Sequence, residues 1–197
     1  EFEPQLFGQH PRAKADAFRL LHGAMRSAHI FGAGRYTFHG TTRLKRNAAP
    51  ADPEKLAPAF AEIMAACAGH GVRLCLENVH WALYNRPGLF APLHRLCPDL
   101  LGVLDVKQAR LSCWPYQMYI KDMEGCISHV HLSDVDERGN ICLPGQGIFD
   151  FEECLRRLKD AGFDGAALIE VYPKDYGDYT ELKRSCDYLD ELIYKIG

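Results

Sequence analysis

Five short apolar runs punctuate the chain, each separated from the next by a stretch with helical spacing. They are RYTFHG (35–40), VRLCLEN (72–78), LLGVLDV (100–106), ISHVHLSD (127–134) and AALIEVY (166–172). Runs that are almost continuously apolar, instead of alternating with polar residues, suit strands buried on both faces. With helices between them, they specify a parallel sheet covered by helices. Two architectures satisfy this pattern, an open doubly wound sheet and a (β/α)₈ barrel, and hydrophobic patterning alone does not choose between them.

The intervening segments carry helix punctuation. A helix is expected over about 13–28, ending near the glycines of FGAGRY. The polar loop TTRLKRNAAPADP follows the first strand. Asp52 then reads as an N-cap, Pro53 as the first helical residue and Gly71 as the stop. Between them Leu56, Phe60, Ile63, Met64 and Cys67 form an apolar stripe. Further helices are expected over 89–96, in the Trp- and Tyr-rich stretch after 106, and over 180–194. Another should run from a capping box of Asp150 and Glu153 to about Lys159. With no repeat or linker, residues 1–197 read as a single domain.

A net charge of −3 and a pI near 6.3 give no broad basic field for a polyanion, so nucleic acid is not the expected partner. No apolar run approaches the roughly 20 residues of a membrane span, and nothing reads as a signal peptide. The eight cysteines form no C-x-x-C pair. Several lie in apolar runs, where cysteine behaves as a small hydrophobe. Reduced thiols and a cytoplasmic setting are the expectation.

The position of the polar residues separates the two architectures. Each run closes on an acid or a histidine at its C-terminal tip: His39, Glu77, Asp105, His131 and Glu170. In a parallel α/β barrel these tips converge on one face, where barrel enzymes build their sites. Any one such residue is compatible with a cap, an ion pair or a satisfied core histidine. Five in succession point to a carboxylate-rich metal site. Strand alternation puts His129, His131 and Ser133 on one face and Val130 and Leu132 on the other. His131 is nearer the tip and is the better ligand candidate, whereas His129 is expected one layer deeper, as a hydrogen-bonded core residue. The same parity pairs Cys75 with Glu77, Val103 with Asp105 and Leu168 with Glu170.

LCLENVHW, GVLDVKQA, HVHLSD followed by LPGQGIFDF, and ALIEVY, in this order, resemble the xylose-isomerase-like TIM barrel superfamily. That group includes sugar phosphate isomerases and epimerases, inosose-processing enzymes and endonuclease IV. The resemblance implies one divalent metal ion held by Glu77, Asp105, His131 and Glu170. Three carboxylates and an imidazole favour Mn²⁺ or Mg²⁺, with Co²⁺ or Zn²⁺ also accommodated. It further implies Glu77 and Glu170 as the acid/base pair of a sugar isomerase or epimerase working through an ene-diolate. Trp81, Tyr84, Trp114 and Tyr172 are candidates to face a sugar or sugar phosphate, or else to pack helix against barrel. His39, Asn78, Lys107 and Gln108 are candidates to bond its hydroxyls.

Two features depart from the family pattern. Gln108 stands where many members carry a histidine, and no further histidine lies between His131 and Pro144, against the three-zinc cluster of the endonuclease branch. A full barrel of this kind takes about 250 residues and eight strands. With five strands counted, EFEPQLF is expected to end the third barrel strand, leaving the first two βα units unrepresented. The chain is therefore expected to be a fragment, or to pair with another copy or chain as a homo-oligomer or complex. A lyase or dehydratase acting on an inosose- or dehydroshikimate-like substrate, and a non-catalytic truncated barrel, are the rival readings.

Overall fold

The computed structural model describes residues 5–41 and 50–197. Five strands form one sheet: β1 (Arg35–Phe38), β2 (Arg73–Glu77), β3 (Leu101–Asp105), β4 (Ile127–Leu132) and β7 (Ala166–Ile169). Every neighbouring pair is parallel, in the order β1-β2-β3-β4-β7. Strands β5 (Asp134–Val135) and β6 (Ile141–Cys142) form a small antiparallel hairpin just beyond β4. Seven α-helices are described: α1 (Pro11–Ile30), α2 (Pro53–Ala68), α3 (Phe90–Leu96), α4 (Val106–Leu111), α5 (Tyr116–Asp122), α6 (Phe151–Asp160) and α7 (Tyr179–Ile196). None of the helices described is long and apolar enough to cross a membrane.

The alternation of each strand divides the molecule. Phe38, Leu74, Leu76, Leu104, Val130 and Leu132 turn toward the helices and join one core with Phe60, Ile63 and Cys67 of α2 and Phe151, Leu155 and Leu158 of α6. Each fully buried side chain of this size contributes roughly 1.5–3 kcal/mol of transfer free energy. The opposite face carries Thr37, Cys75, Val103, His129 and Leu168. The registers set Cys75 near β3, Val103 beside His129 and Asp105 beside His131. Pairing extends past the last strand, because Glu170 N–H donates to Leu132 C=O at 2.9 Å. In the described sheet β1 and β7 are the edges, and β7 exposes Ala166, Ala167 and 45% of Leu168.

Several expectations shift at their ends. Asp52 caps α2 by accepting Glu54 N–H at 3.1 Å, but the helix closes at Ala68 and Gly71 follows in the turn at φ 75°. The third run stops being a strand at Asp105, whose Oδ1 accepts Gln108 N–H and starts α4. Only half of the expected capping box forms. Asp150 accepts Glu153 N–H at 2.9 Å, while the Glu153 carboxylate turns to Arg157 one helical turn on. The segment EFEPQLF is not seen as a strand: residues 1–4 lie outside the described residues, and Leu6 and Phe7 form a turn. Most of the polar loop after β1 (42–49) also lies outside them.

Candidate metal centre

The convergence anticipated from the strand tips is present in the structure. Glu77 closes β2, Asp105 closes β3, His131 is the penultimate residue of β4 and Glu170 follows β7 directly. One ligand atom from each lies within 4.8 Å of the other three. All four lie on the same face at or just past a strand tip, in a staggered register: Asp105 is level with His131, Glu77 is level with Val103, and Glu170 lies two residues beyond Leu168, the partner of His131. Below them Cys75 and Val103 are fully buried, and His129 is held by Thr37 Oγ1 at 3.0 Å and Ser128 Oγ at 3.1 Å. His129 is thus the deeper, hydrogen-bonded histidine, and burial pushes its imidazole down to about 4.

The donor set fits a divalent cation. His131 Nδ1 faces three carboxylates at once: Glu170 Oε2 at 2.6 Å, Glu77 Oε1 at 3.2 Å and Asp105 Oδ2 at 3.9 Å. One ring nitrogen carries at most one proton and cannot satisfy three acceptors. Asp105 Oδ2 and Glu170 Oε2 are buried without a hydrogen bond of acceptable geometry, although Glu170 Oε2 is close to the imidazole. Buried anionic oxygens in this condition are costly unless a cation meets them.

The electrostatics follow the same logic. Burial pushes His131 down, but the close carboxylates of Glu170 and Glu77 outweigh it and lift the imidazole to about 10. Contact with that imidazole holds Glu170 at about 2 against the opposing effect of burial. Burial raises Glu77, yet hydrogen bonds from His131 and His39 leave it below the usual carboxylate range. Asp105, deeply buried and flanked by two other acids, is raised to about 7 although Lys107 pulls it down.

The remaining candidates occupy distinct places. His39 Nε2 lies 3.0 Å from Glu77 Oε2, and Trp81 packs edge-on against the His39 ring at 5.4 Å. Lys107, 7% exposed, donates to Glu170 Oε1 at 3.1 Å and has its Nζ 5.5 Å from the centre of the Tyr172 ring. Asn78 is buried and clamps β2 to β3, donating to Asp105 C=O at 2.9 Å and accepting Asp105 N–H at 2.8 Å. The Gln108 side-chain oxygen faces the His80 backbone N–H and ring, which ties the loop after β2 to α4. Trp114 stands apart from the four ligands, lining a cavity of about 220 Å³ with Lys107, Tyr116, Ser133 and Phe149.

Two supporting carboxylates escaped the sequence reading. Asp134, 1% exposed, accepts four backbone N–H groups: Val135 and Phe149 at Oδ1, Gly145 and Gly147 at Oδ2. Asp122 accepts Tyr84 O–H and the N–H groups of Gly88, Phe90 and Ala91, thereby capping α3 from α5. The Pro-Gly-x-Gly turn after Asp134 is the one sequence signal for the first. Gly147 is required there, since a Cβ would stand 2.3 Å from Val135 O.

Residues 4–192 match the family model described as xylose isomerase-like TIM barrel. The chain belongs to this family. A curated relative, L-ribulose-5-phosphate 3-epimerase UlaE of Shigella flexneri, is 31% identical over 126 residues, which are 62% of this chain and 42% of the relative. The match thus spans less than half of that protein's length. Among solved structures, D-psicose 3-epimerase of Clostridium cellulolyticum H10 superposes with a TM-score of 0.77 at 15% identity. That superposition covers 98% of this chain and 76% of the other. A probable 3-DHS dehydratase from Bacillus anthracis superposes with a TM-score of 0.71 at 15% identity, over 89% and 70% of the two chains. At these identities the superpositions establish the fold.

Proposed function

We propose that this barrel catalyses epimerisation or isomerisation of a ketose sugar or sugar phosphate, with one divalent metal ion and two glutamates exchanging protons with the substrate. The observation that carries the reading is the placement of Glu77 and Glu170 on β2 and just past β7, flanking the ligands of β3 and β4 from opposite sides. Two carboxylates on opposite sides of a bound carbon are what inversion requires: one removes a proton from one face and the other returns one to the opposite face.

Glu77, Asp105, His131 and Glu170 would hold the ion, which when bound polarises the substrate's carbonyl and adjacent hydroxyl. The chain supplies the rest. Both glutamates are held in the ionised form by their polar partners, so each is able to accept the proton beside the carbonyl, leaving an ene-diolate; the other glutamate takes up a proton from water and delivers it to the opposite face. The deeply buried Cys75 and Val103 close the floor of the site, so substrate enters from the strand-tip side. Mn²⁺ or Mg²⁺ suits three carboxylates and one imidazole. Reduced thiols fit a cytoplasmic setting, and all eight cysteines are free. The relative's name makes L-ribulose 5-phosphate, and the solved structure's makes D-psicose, the first substrates to try.

The test is incubation of the Mn²⁺-loaded protein with each ketose in deuterated water, with NMR detection of the 3-epimer and of deuterium at that carbon. Appearance of labelled epimer supports the proposal. Release of water from a dehydroshikimate-type substrate, with no epimer from any ketose, would replace it with the dehydratase reading that the third comparison keeps open.

A further inference from the structure

The two glutamates share a feature that ligand geometry alone does not require. Each has one oxygen directed at His131 and the other held by a donor outside the ligand set. Glu77 turns Oε1 to His131 at 3.2 Å and Oε2 to His39 Nε2 at 3.0 Å. Glu170 turns Oε2 to His131 at 2.6 Å and Oε1 to Lys107 Nζ at 3.1 Å. The two holders come from strand tips other than those of the glutamates they hold. His39 follows β1, next to β2, and Lys107 lies in the first turn after β3, reaching across β4 to Glu170.

We propose that His39 and Lys107 are positioning residues of the metal centre: each takes the outer oxygen of one glutamate and so aims the inner oxygen at the ion. The inference rests on the metal-site reading above but not on the sugar chemistry. The need is unequal at the two glutamates. Glu77 is enclosed, with 4% of its side chain exposed, and packing restricts it. Glu170 lies past an edge strand with 39% of its side chain exposed, so its rotamer rests on the Lys107 contact at one oxygen and the His131 contact at the other. Ordering a glutamate side chain costs rotamer entropy. A donor that imposes the productive rotamer beforehand removes that cost from metal binding, as partners of metal ligands commonly do. Lys107 is itself well held, buried at 7% exposure, 3.7 Å from Asp105 Oδ2 and set beside the Tyr172 ring. A lysine recruited only to bind a substrate hydroxyl would not need two carboxylate partners.

A rival account gives the opposite sign. If Lys107 is merely a competing positive charge beside the ion, its removal tightens metal binding. The experiment is a Mn²⁺ titration followed by electron paramagnetic resonance, carried to millimolar metal, with circular dichroism to confirm folding. Lys107→Met is expected to weaken binding at least tenfold and Lys107→Arg to stay within threefold of the parent chain. In the Glu170→Gln background, where the held carboxylate is gone and three ligands remain, Lys107→Met is expected to change affinity less than twofold. His39→Gln should couple in the same way to Glu77→Gln. Binding by Lys107→Met as tight as that of the parent or tighter would overturn the proposal, as would a tenfold loss that persists in the Glu170→Gln background. Failure of the parent chain to bind Mn²⁺ at all is a separate result, which removes the metal reading and this inference with it.

Discussion

Asp134→Asn keeps the shape of the side chain and changes only what its two ends offer. The carboxylate accepts Val135 N–H at 2.8 Å and Phe149 N–H at 2.9 Å through one oxygen, and Gly145 and Gly147 N–H at 3.0 and 2.9 Å through the other. An amide in the same place turns two N–H groups toward one of these donor pairs, so whichever way it flips, two backbone N–H groups lose their acceptor. The site is 1% exposed, leaving little room for water to substitute. Each charge-assisted bond lost in such a setting costs about 1.5–3 kcal/mol, and two cost about 3–6 kcal/mol. For a domain of this size that corresponds to a fall in Tm of roughly 6–24 °C. The loss should concentrate in the hairpin and the Pro144–Gly147 turn, which Ser185 fastens to α7 by donating to Pro144 C=O at 2.8 Å. Urea unfolding followed by circular dichroism measures the difference directly. A loss below about 1 kcal/mol would refute the reasoning, since it would show that the four N–H groups find other acceptors.

Three further outcomes are expected. In the metal-free protein His131 titrates near 10 instead of 6.5 and Asp105 near 7 instead of 3.8. Groups raised in the folded state contribute stability that is present below their unfolded values and lost as pH rises through the folded ones. Tm in EDTA should therefore fall between pH 6 and 9, whereas with Mg²⁺ or Mn²⁺, which displaces the His131 proton, it should hold or rise; a rise in EDTA contradicts this account. Glu77→Gln and Glu170→Gln should each lower turnover of any ketose found to react by at least about 10²–10⁴-fold, the usual worth of general acid–base catalysis, as read from initial rates. Asp122→Asn should cost about 2–4 kcal/mol by uncapping α3 and freeing Tyr84, measurable as a lowered urea midpoint without loss of bound metal.

The clustering of the strand-tip residues was legible because it depends on two local regularities, the period-2 alternation of a strand and the habit of parallel strands of ending on one face. Both act within a few residues, so Glu77, Asp105, His131 and Glu170 could be read off run by run, and His129 could be assigned to the layer beneath. The hubs at Asp122 and Asp134 were not legible. Their partners are backbone N–H groups as much as 34 positions away in sequence, and backbone donors leave no trace in side-chain chemistry. The same limit applies to His39, Lys107, Asn78 and Gln108. Residue type marked them as polar and close to the tips, but each has an alternative partner on a neighbouring element, and only tertiary placement chooses. The half-formed cap of α6 is a small instance, where Arg157 competes with the helix terminus for Glu153.

The sheet order also gives the two glutamates different solvents. Glu77 lies between neighbouring strands with 4% of its side chain exposed, and Glu170 stands at an open margin with 39% exposed. In the reaction proposed here, the glutamate that returns a proton is not the one that lifted it, so the product's new hydrogen comes from Glu170 in one direction and from Glu77 in the other. The two directions of one reversible conversion would then differ in isotopic memory: hydrogen delivered by Glu170 reports the bulk water of the moment, and hydrogen delivered by the shielded Glu77 reports water it exchanged with earlier.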